Sequence, residues 1–270
     1  MIWPRRNKHL IDLRTPAEIE QMKPAGQFVA EVLQTLKASV KPGTNLLDID
    51  RKAAQMIKQR GAKSCYVDYH PTFGAMPFGK VICTSVNDAV LHGLPHNYAL
   101  KAGDLLTLDF AASVNGWVAD SAISFIVGTD PDAARAARSQ KLIDTTLAAL
   151  DAGIKAAVVG NKTGDISAAI AKVAHGAGYG KINTDFGGHG VGREMHGEPH
   201  VPNDGKPRKG FPLRPGLVIA IEPWFLETTD KIFTDDDGWT LRSVDGSWGA
   251  HSEHTIAITN NGPIILTQLV

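Results

Sequence analysis

The chain has 270 residues, 43% of them hydrophobic and 21% charged, with a formal net charge of zero. These values suit a globular enzyme with a well-buried core, and they leave no basic footprint for nucleic acid or an anionic membrane surface. No run approaches the roughly 20 apolar residues of a membrane span, and two cysteines, Cys65 and Cys83, cannot frame a disulfide scaffold or a zinc finger.

Residues 1–6, Met-Ile-Trp-Pro-Arg-Arg, are basic, but no apolar stretch follows as a signal peptide requires, so a cytoplasmic protein is expected. Residues 1–14 read as a partly disordered stub, and 15–270 as one catalytic domain, since no polar or Pro/Ser-rich linker interrupts them. Thr15-Pro16-Ala17-Glu18 reads as a helix start, with threonine capping, proline at the first helical position and the glutamate closing a capping box. Ile19, Met22, Val29, Val32, Leu33 and Leu36 recur at helical spacing, and Pro24 and Gly26 are expected to kink that helix. A second helix is predicted from Leu46 to Arg60, stopped by Gly61. Strands at 105–111 and 117–127 flank Asn115-Gly116, the strongest short signal for a tight hairpin turn. Asp130-Pro131-Asp132 opens a third helix reaching about Leu150, and 164–174 forms a fourth. Residues 187–192, Gly-Gly-His-Gly-Val-Gly, read as a loop. It is not a phosphate-binding loop, because no lysine with serine or threonine follows in place. Strands at 218–222 and 255–259 complete the pattern.

The chain echoes itself. Leu91-His92-Gly93-Leu94-Pro95-His96 returns as Met195-His196-Gly197-Glu198-Pro199-His200. Residues 100–109 read against 213–222, each ending in an acid after an apolar run, and 43–57 align more weakly with 160–174. Two related halves about a pseudo-two-fold axis would bring both histidines and both acids, Asp109 and Glu222, to one place.

Asp109 and Asp120 lie on either side of the Asn115-Gly116 turn. A loop of two or four residues would point both side chains to one face, opposed or diagonal. Two carboxylates so placed among Leu106, Leu108 and Phe110 repel each other, and a cation would resolve the conflict. Glu222 ends an apolar strand, and Glu253 lies in His251-Ser252-Glu253-His254, just before the last one. His189, set among glycines that allow close backbone approach, is the expected nitrogen ligand. His92 and His196 are expected to face the site, whereas His96, His200, His251 and His254 read as surface or supporting residues. Oxygen donors with one imidazole suit manganese, iron, cobalt or zinc.

These motifs together resemble the type I methionine aminopeptidases of the pita-bread metallopeptidase superfamily, over about residues 15–267. The resemblance is carried by Asn87-Asp88-Ala89-Val90-Leu91-His92-Gly93, Asp109-Phe110 with Asp120, Gly188-His189-Gly190-Val191-Gly192, Met195-His196, Ile221-Glu222-Pro223 and Glu253-His254-Thr255. It implies an α+β fold: a curved antiparallel sheet with helices outside and internal pseudo-two-fold symmetry. It also implies that Asp109, Asp120, His189, Glu222 and Glu253 hold two divalent ions (cobalt, manganese, iron, zinc or nickel), with Asp120 and Glu253 bridging. On the same footing, His92, His196 and Glu222 carry catalysis, His92 and His196 also contact the substrate backbone, and Tyr69, Cys83, Met195 and Trp239 line the methionine pocket. Met195 stands where the family often has an aromatic residue, and 71–79 looks like an insertion at the pocket rim.

The expected activity is removal of the first methionine from nascent polypeptides with a small second residue, by a monomer with the ribosome as a further partner and no nucleic-acid or membrane binding. The alternatives are a proline-specific dipeptidase, whose large amino-terminal domain has no counterpart here, a type II enzyme, for whose helical insertion 196–222 is too short, and a non-enzymatic binding protein, which would have lost ligands.

Overall fold

The computed structural model describes residues 11–71 and 76–269; the basic stretch 1–6 and residues 72–75 of the insertion lie outside them. Each half begins with two helices. In the first half, α1 (Pro16–Ser39) starts at the predicted capping box, where Thr15 and Glu18 satisfy each other's backbone amides. The helix runs through Pro24. Gly26 has a different use there: a Cβ would stand 2.1 Å from the Leu266 carbonyl oxygen, so the glycine admits the carboxy-terminal segment against the helix. Next, α2 (Leu46–Arg60) ends on Gly61 in the left-handed region.

In the second half, α3 (Ala133–Ala156), capped by Asp132, and α4 (Thr163–Gly176) repeat the pair. α3 continues beyond its expected end near Leu150. Gly153 supports that last stretch, because a Cβ there would press within 3.1–3.2 Å of Ile170 and Ile221.

The strands of the first half are β1 (Lys63–Ser64), β2 (Cys83–Val86), β3 (Ala89–Leu91), β4 (Leu105–Val114) and β5 (Trp117–Ile126). Those of the second are β6 (Gly187–Gly190), β7 (Gly197–Pro202), β8 (Val218–Ile221), β9 (Trp224–Leu226), β10 (Ile232–Thr234) and β11 (Leu241–Ser243). After them come β12 (Gly249–His251), β13 (Glu253–Thr259) and β14 (Gly262–Ile265). The main antiparallel sheet runs β1-β4-β5-β13-β8-β6-β7, with β2 also on β4 and β14 on β13. The halves join where Glu253 faces Ala122 and His254 faces Ser121. The repeat survives in detail: Asn45, before α2, bridges Ala99, and Lys162, before α4, bridges Pro212.

The sheet has an outer, helix-covered face and an inner one. Leu106, Leu108 and Phe110 pack with Phe28, Leu33 and Leu46 of the first helix pair. Ile219, Ile221, Ile256 and Ile258 pack with Leu142, Leu150, Ile166 and Ile170 of the second. Each such side chain, fully buried, contributes about 1.5–3 kcal/mol of transfer free energy. Because β-strand side chains alternate, the neighbours Asp109 and Ala111 must face the other way. This corrects one expectation: the acids do not sit among Leu106, Leu108 and Phe110, which point to the helices. They lie on the inner face, with Ala111, Ala220, Ala257, Cys83, Met195 and Trp239.

A second correction concerns residues 187–190, expected as loop and found as the buried strand β6. The glycines are there because neighbouring strands come too near for side chains. A Cβ would fall 2.2 Å from the Ala220 oxygen at Gly188 and 2.1 Å from the Glu198 oxygen at Gly190.

Candidate metal centre

The hairpin β4–β5 closes through a two-residue turn, with Asn115 at φ 53° and Gly116 at φ 76°, as a type I′ turn needs. That closure sets the register. Asp109 pairs with Ala122 and Ala111 with Asp120, so the two acids are diagonal neighbours on the inner face. From the second half, β6 supplies His189, β13 opens with Glu253, and Glu222 follows β8. Oxygen or nitrogen atoms from Asp109, Asp120 and Glu253 lie within 4.8 Å of one another, and so do those from His189, Glu222 and Glu253. All five predicted ligands therefore meet: these two groups share Glu253, and a third joins Asp120 and His189 with His196.

The charge balance of this cluster calls for a cation. Burial pushes Asp109 up to about 6, and burial with the Asp109 charge drives Asp120 well above the carboxylate range. Glu222 and Glu253 move the same way, first from burial and then from the neighbouring acids. Glu253 Oε1 is buried with no hydrogen-bond partner among the described residues. Four desolvated carboxylates with an orphaned oxygen form a donor set that divalent ions fit. His189 is built to match: its Nδ1 lies 3.1 Å from the Gly190 carbonyl oxygen, while its Nε2 is 3.5 Å from Glu222 Oε1 and 4.0 Å from Asp120 Oδ2. With Nδ1–H donating to that carbonyl, the Nε2 lone pair faces the acids. Burial lowers His189 to about 4, so the imidazole is neutral near pH 7.

His92 and His196, the repeated histidines, open onto the same pocket. The rings of His189 and His196 meet edge to face at 4.4 Å. His196 Nδ1 lies 2.8 Å from the Tyr69 hydroxyl. Burial holds His196 well below its ordinary range and lowers His92 to about 4. His92 has a left-handed backbone at φ 55°, uncommon for a residue with a Cβ. The cavity wall includes all four side chains expected to form the methionine pocket, Tyr69, Cys83, Met195 and Trp239.

Sequence reasoning missed Tyr66 and Phe78. Tyr66 donates its hydroxyl proton to Asp109 Oδ1 at 2.6 Å, and Phe78 stands edge-on to both Tyr66 and Trp239. Both aromatics belong to irregular chain around the insertion, where no periodicity marks a buried side. His251, expected at the surface or in support, is 2% exposed, with Nε2 3.9 Å from Glu253 Oε2 and 4.0 Å from Glu222 Oε2. Its place two residues from Glu253 on an extended segment was the available signal. His96 is exposed and His200 partly so, as expected, while His254 faces away and meets the Thr267 hydroxyl at 2.9 Å.

Comparison with known proteins gives the family of the chain. The model of metallopeptidase family M24 matches residues 20–260. The methionine aminopeptidase of Aquifex aeolicus is 43% identical, over 96% of this chain and 99% of its own. Methionine aminopeptidase 1 of Mycobacterium tuberculosis is 40% identical, over 97% of both. The crystal structure of the Thermotoga maritima methionine aminopeptidase superposes with a TM-score of 0.88 at 37% identity, covering 96% of this chain and 100% of that one. The prolidase of Pyrococcus furiosus shares the fold, with a TM-score of 0.72 at 21% identity, but this chain spans 66% of its length. Among the described residues, no helix is long and apolar enough to cross a membrane. The pita-bread fold, the carboxylate-lined centre and these full-length similarities place the chain in metallopeptidase family M24, among its methionine aminopeptidases.

Proposed function

We propose that this protein is a metal-dependent methionine aminopeptidase that removes the first methionine from nascent cytoplasmic polypeptides, favouring those with a small second residue. The observation that carries the reading is the convergence of Asp109, Asp120, His189, Glu222 and Glu253 beside a pocket lined by sulfur and aromatic groups. Two divalent ions held by these five side chains would supply Lewis-acid polarisation of the scissile carbonyl and an activated water. Their identity, among cobalt, manganese, iron, zinc and nickel, follows availability more than donor chemistry.

The chain's own residues do the rest. The side chain of the first residue enters between Tyr69, Cys83, Met195 and Trp239, where a thioether makes favourable contacts with aromatic edges and sulfur. Its free ammonium group is drawn to the acids at the Asp109 end, which restricts cleavage to the first bond. His196, neutral at pH 7, keeps one ring N–H. When Nδ1 accepts from the Tyr69 hydroxyl, that proton lies on Nε2 and is available to the developing oxyanion. His92 hydrogen-bonds the backbone of the scissile peptide. Glu222, whose proton affinity is raised by burial and by the other acids, passes a proton to the leaving amine.

The test is release of methionine from Met-Ala-Ser by protein stripped with a chelator and then resupplied with single divalent ions. Release on resupply, and none from the same peptide with a blocked amino group, is expected. Release unaffected by chelation, or equal release from the blocked peptide, would refute the reading.

A further inference from the structure

Asp109 has a partner that the reaction described above does not use. The Tyr66 hydroxyl donates to Asp109 Oδ1 at 2.6 Å and lies 3.3 Å from Asp120 Oδ1, while the residue is 7% exposed. The frame that holds it is made by the strands beside it. Ser64 of β1 pairs with Ala112 of β4, the strand that bears Asp109, and the Ser64 hydroxyl accepts from the Tyr66 amide at 3.1 Å. Phe78 stands edge-on against the phenol ring, with centroids 5.6 Å apart. The other end of the centre is arranged differently: at His189 a backbone carbonyl, that of Gly190, sets the ring.

We infer that Tyr66 is a positioning residue for the Asp109–Asp120–Glu253 end of the centre. Its O–H engages one oxygen of Asp109, fixes the rotation of that carboxylate and leaves the remaining lone pairs for a cation. A carboxylate can only accept, and its nearest charged neighbours are other acids. Without the phenol, Asp109 keeps only the weak Cys83 thiol as a side-chain donor, and it would turn away from Asp120 or keep a proton in place of a cation. Groups that orient a metal-binding carboxylate typically change metal affinity by about 10–100-fold when removed. The inference rests on the proposed role of these acids in holding two cations, and it adds an asymmetry: the tyrosine supports one of the two positions.

Tyr66→Phe deletes the hydroxyl and keeps the ring against Phe78, so the fold is expected to persist, with thermal unfolding as the check. The full chain, stripped with a chelator, is titrated with Mn2+ by calorimetry, and formation of the spin-coupled pair is followed by electron paramagnetic resonance. Asp109→Asn identifies which binding step belongs to the Asp109 end. The expected result for Tyr66→Phe is an affinity about 10–100-fold weaker in that step, an unchanged other step, and a coupled pair that forms only at higher Mn2+. Two steps unchanged from the parent would overturn the inference alone, as would equal weakening of both. Tighter binding at the Asp109 end would also overturn it, because the hydroxyl would then be a competitor of the cation. A parent chain that binds no pair would overturn it together with the functional reading beneath it.

Discussion

The two halves of the molecule reach the same place by different routes. In the first half, Asp109 and Asp120 come from one hairpin, and their relation is settled by a two-residue turn between strands adjacent in sequence. In the second, His189, Glu222 and Glu253 come from strands more than thirty residues apart in sequence, aligned by β13 on β8 and β8 on β6. The first arrangement forms locally and supplies only oxygen donors. The second costs more loop entropy and supplies the imidazole. Duplication thus gave two scaffolds of one kind, and Glu253, facing β5, is where they become one centre.

The largest effect should come from the shared residue. Glu253→Ala removes a donor from both groups at once, and losing several kcal/mol of charge stabilisation corresponds to a fall of about 10³-fold or more in kcat. Retention of two tightly bound ions with near-normal turnover would break the comparison. His196→Ala should lower kcat by about 10²–10³, the loss typical of one oxyanion donor, with metal content unchanged. Turnover equal to that of the parent would remove His196 from that role.

The remaining two predictions concern stability. In the metal-free protein, Asp109 holds its proton up to about pH 6 when folded, against an ordinary value of 3.8. The folded chain therefore binds more protons than the unfolded chain in that window, and the contribution of this group falls as the pH rises from about 4 to 6. Asp120, Glu222 and Glu253 shift in the same direction and extend the decline upward. The buried histidines, with His92 and His189 lowered to about 4, shift the other way and gain stability as the pH rises. The acid's share is therefore read against stripped Asp109→Asn: the parent's thermal midpoint should fall relative to the variant's through this range, by about 2–4 °C for each kcal/mol. A parent midpoint that rises relative to that of stripped Asp109→Asn between about pH 4 and 6 would contradict the charge balance described for the centre.

The smallest effects sharpen the contrast between local and long-range construction. Gly190→Ala forces a Cβ against the Glu198 carbonyl in the second half and should cost about 1–3 kcal/mol as overpacking. Asn115→Ala strains only a left-handed turn position in the first half, at about 1–2 kcal/mol, and should leave metal binding intact. Measured by thermal unfolding and metal titration, the glycine change alone should weaken the ions, because β6 carries His189.

Legibility followed the range of the signal. The capping box at Thr15, the span of α2 and the Asn115-Gly116 turn were readable because each is decided by residues within a few positions of one another. The five candidate ligands were readable because the repeat and the family resemblance marked them. Residues 187–190 were misread because a glycine run looks the same whether it frees a loop or admits a neighbouring strand. Tyr66 and Phe78 were missed because irregular segments bring them in, and neither carries a periodic mark.

By itself the sequence determined the helices, the hairpin register, the duplication and the chemical identity of the donors, since these depend on local backbone preference and side-chain type. Only the tertiary structure decided which face of β4 holds the acids and that Tyr66 reaches Asp109. Those outcomes depend on strand alternation combined with the packing of helices against one side of the sheet, and no stretch of neighbouring residues encodes both.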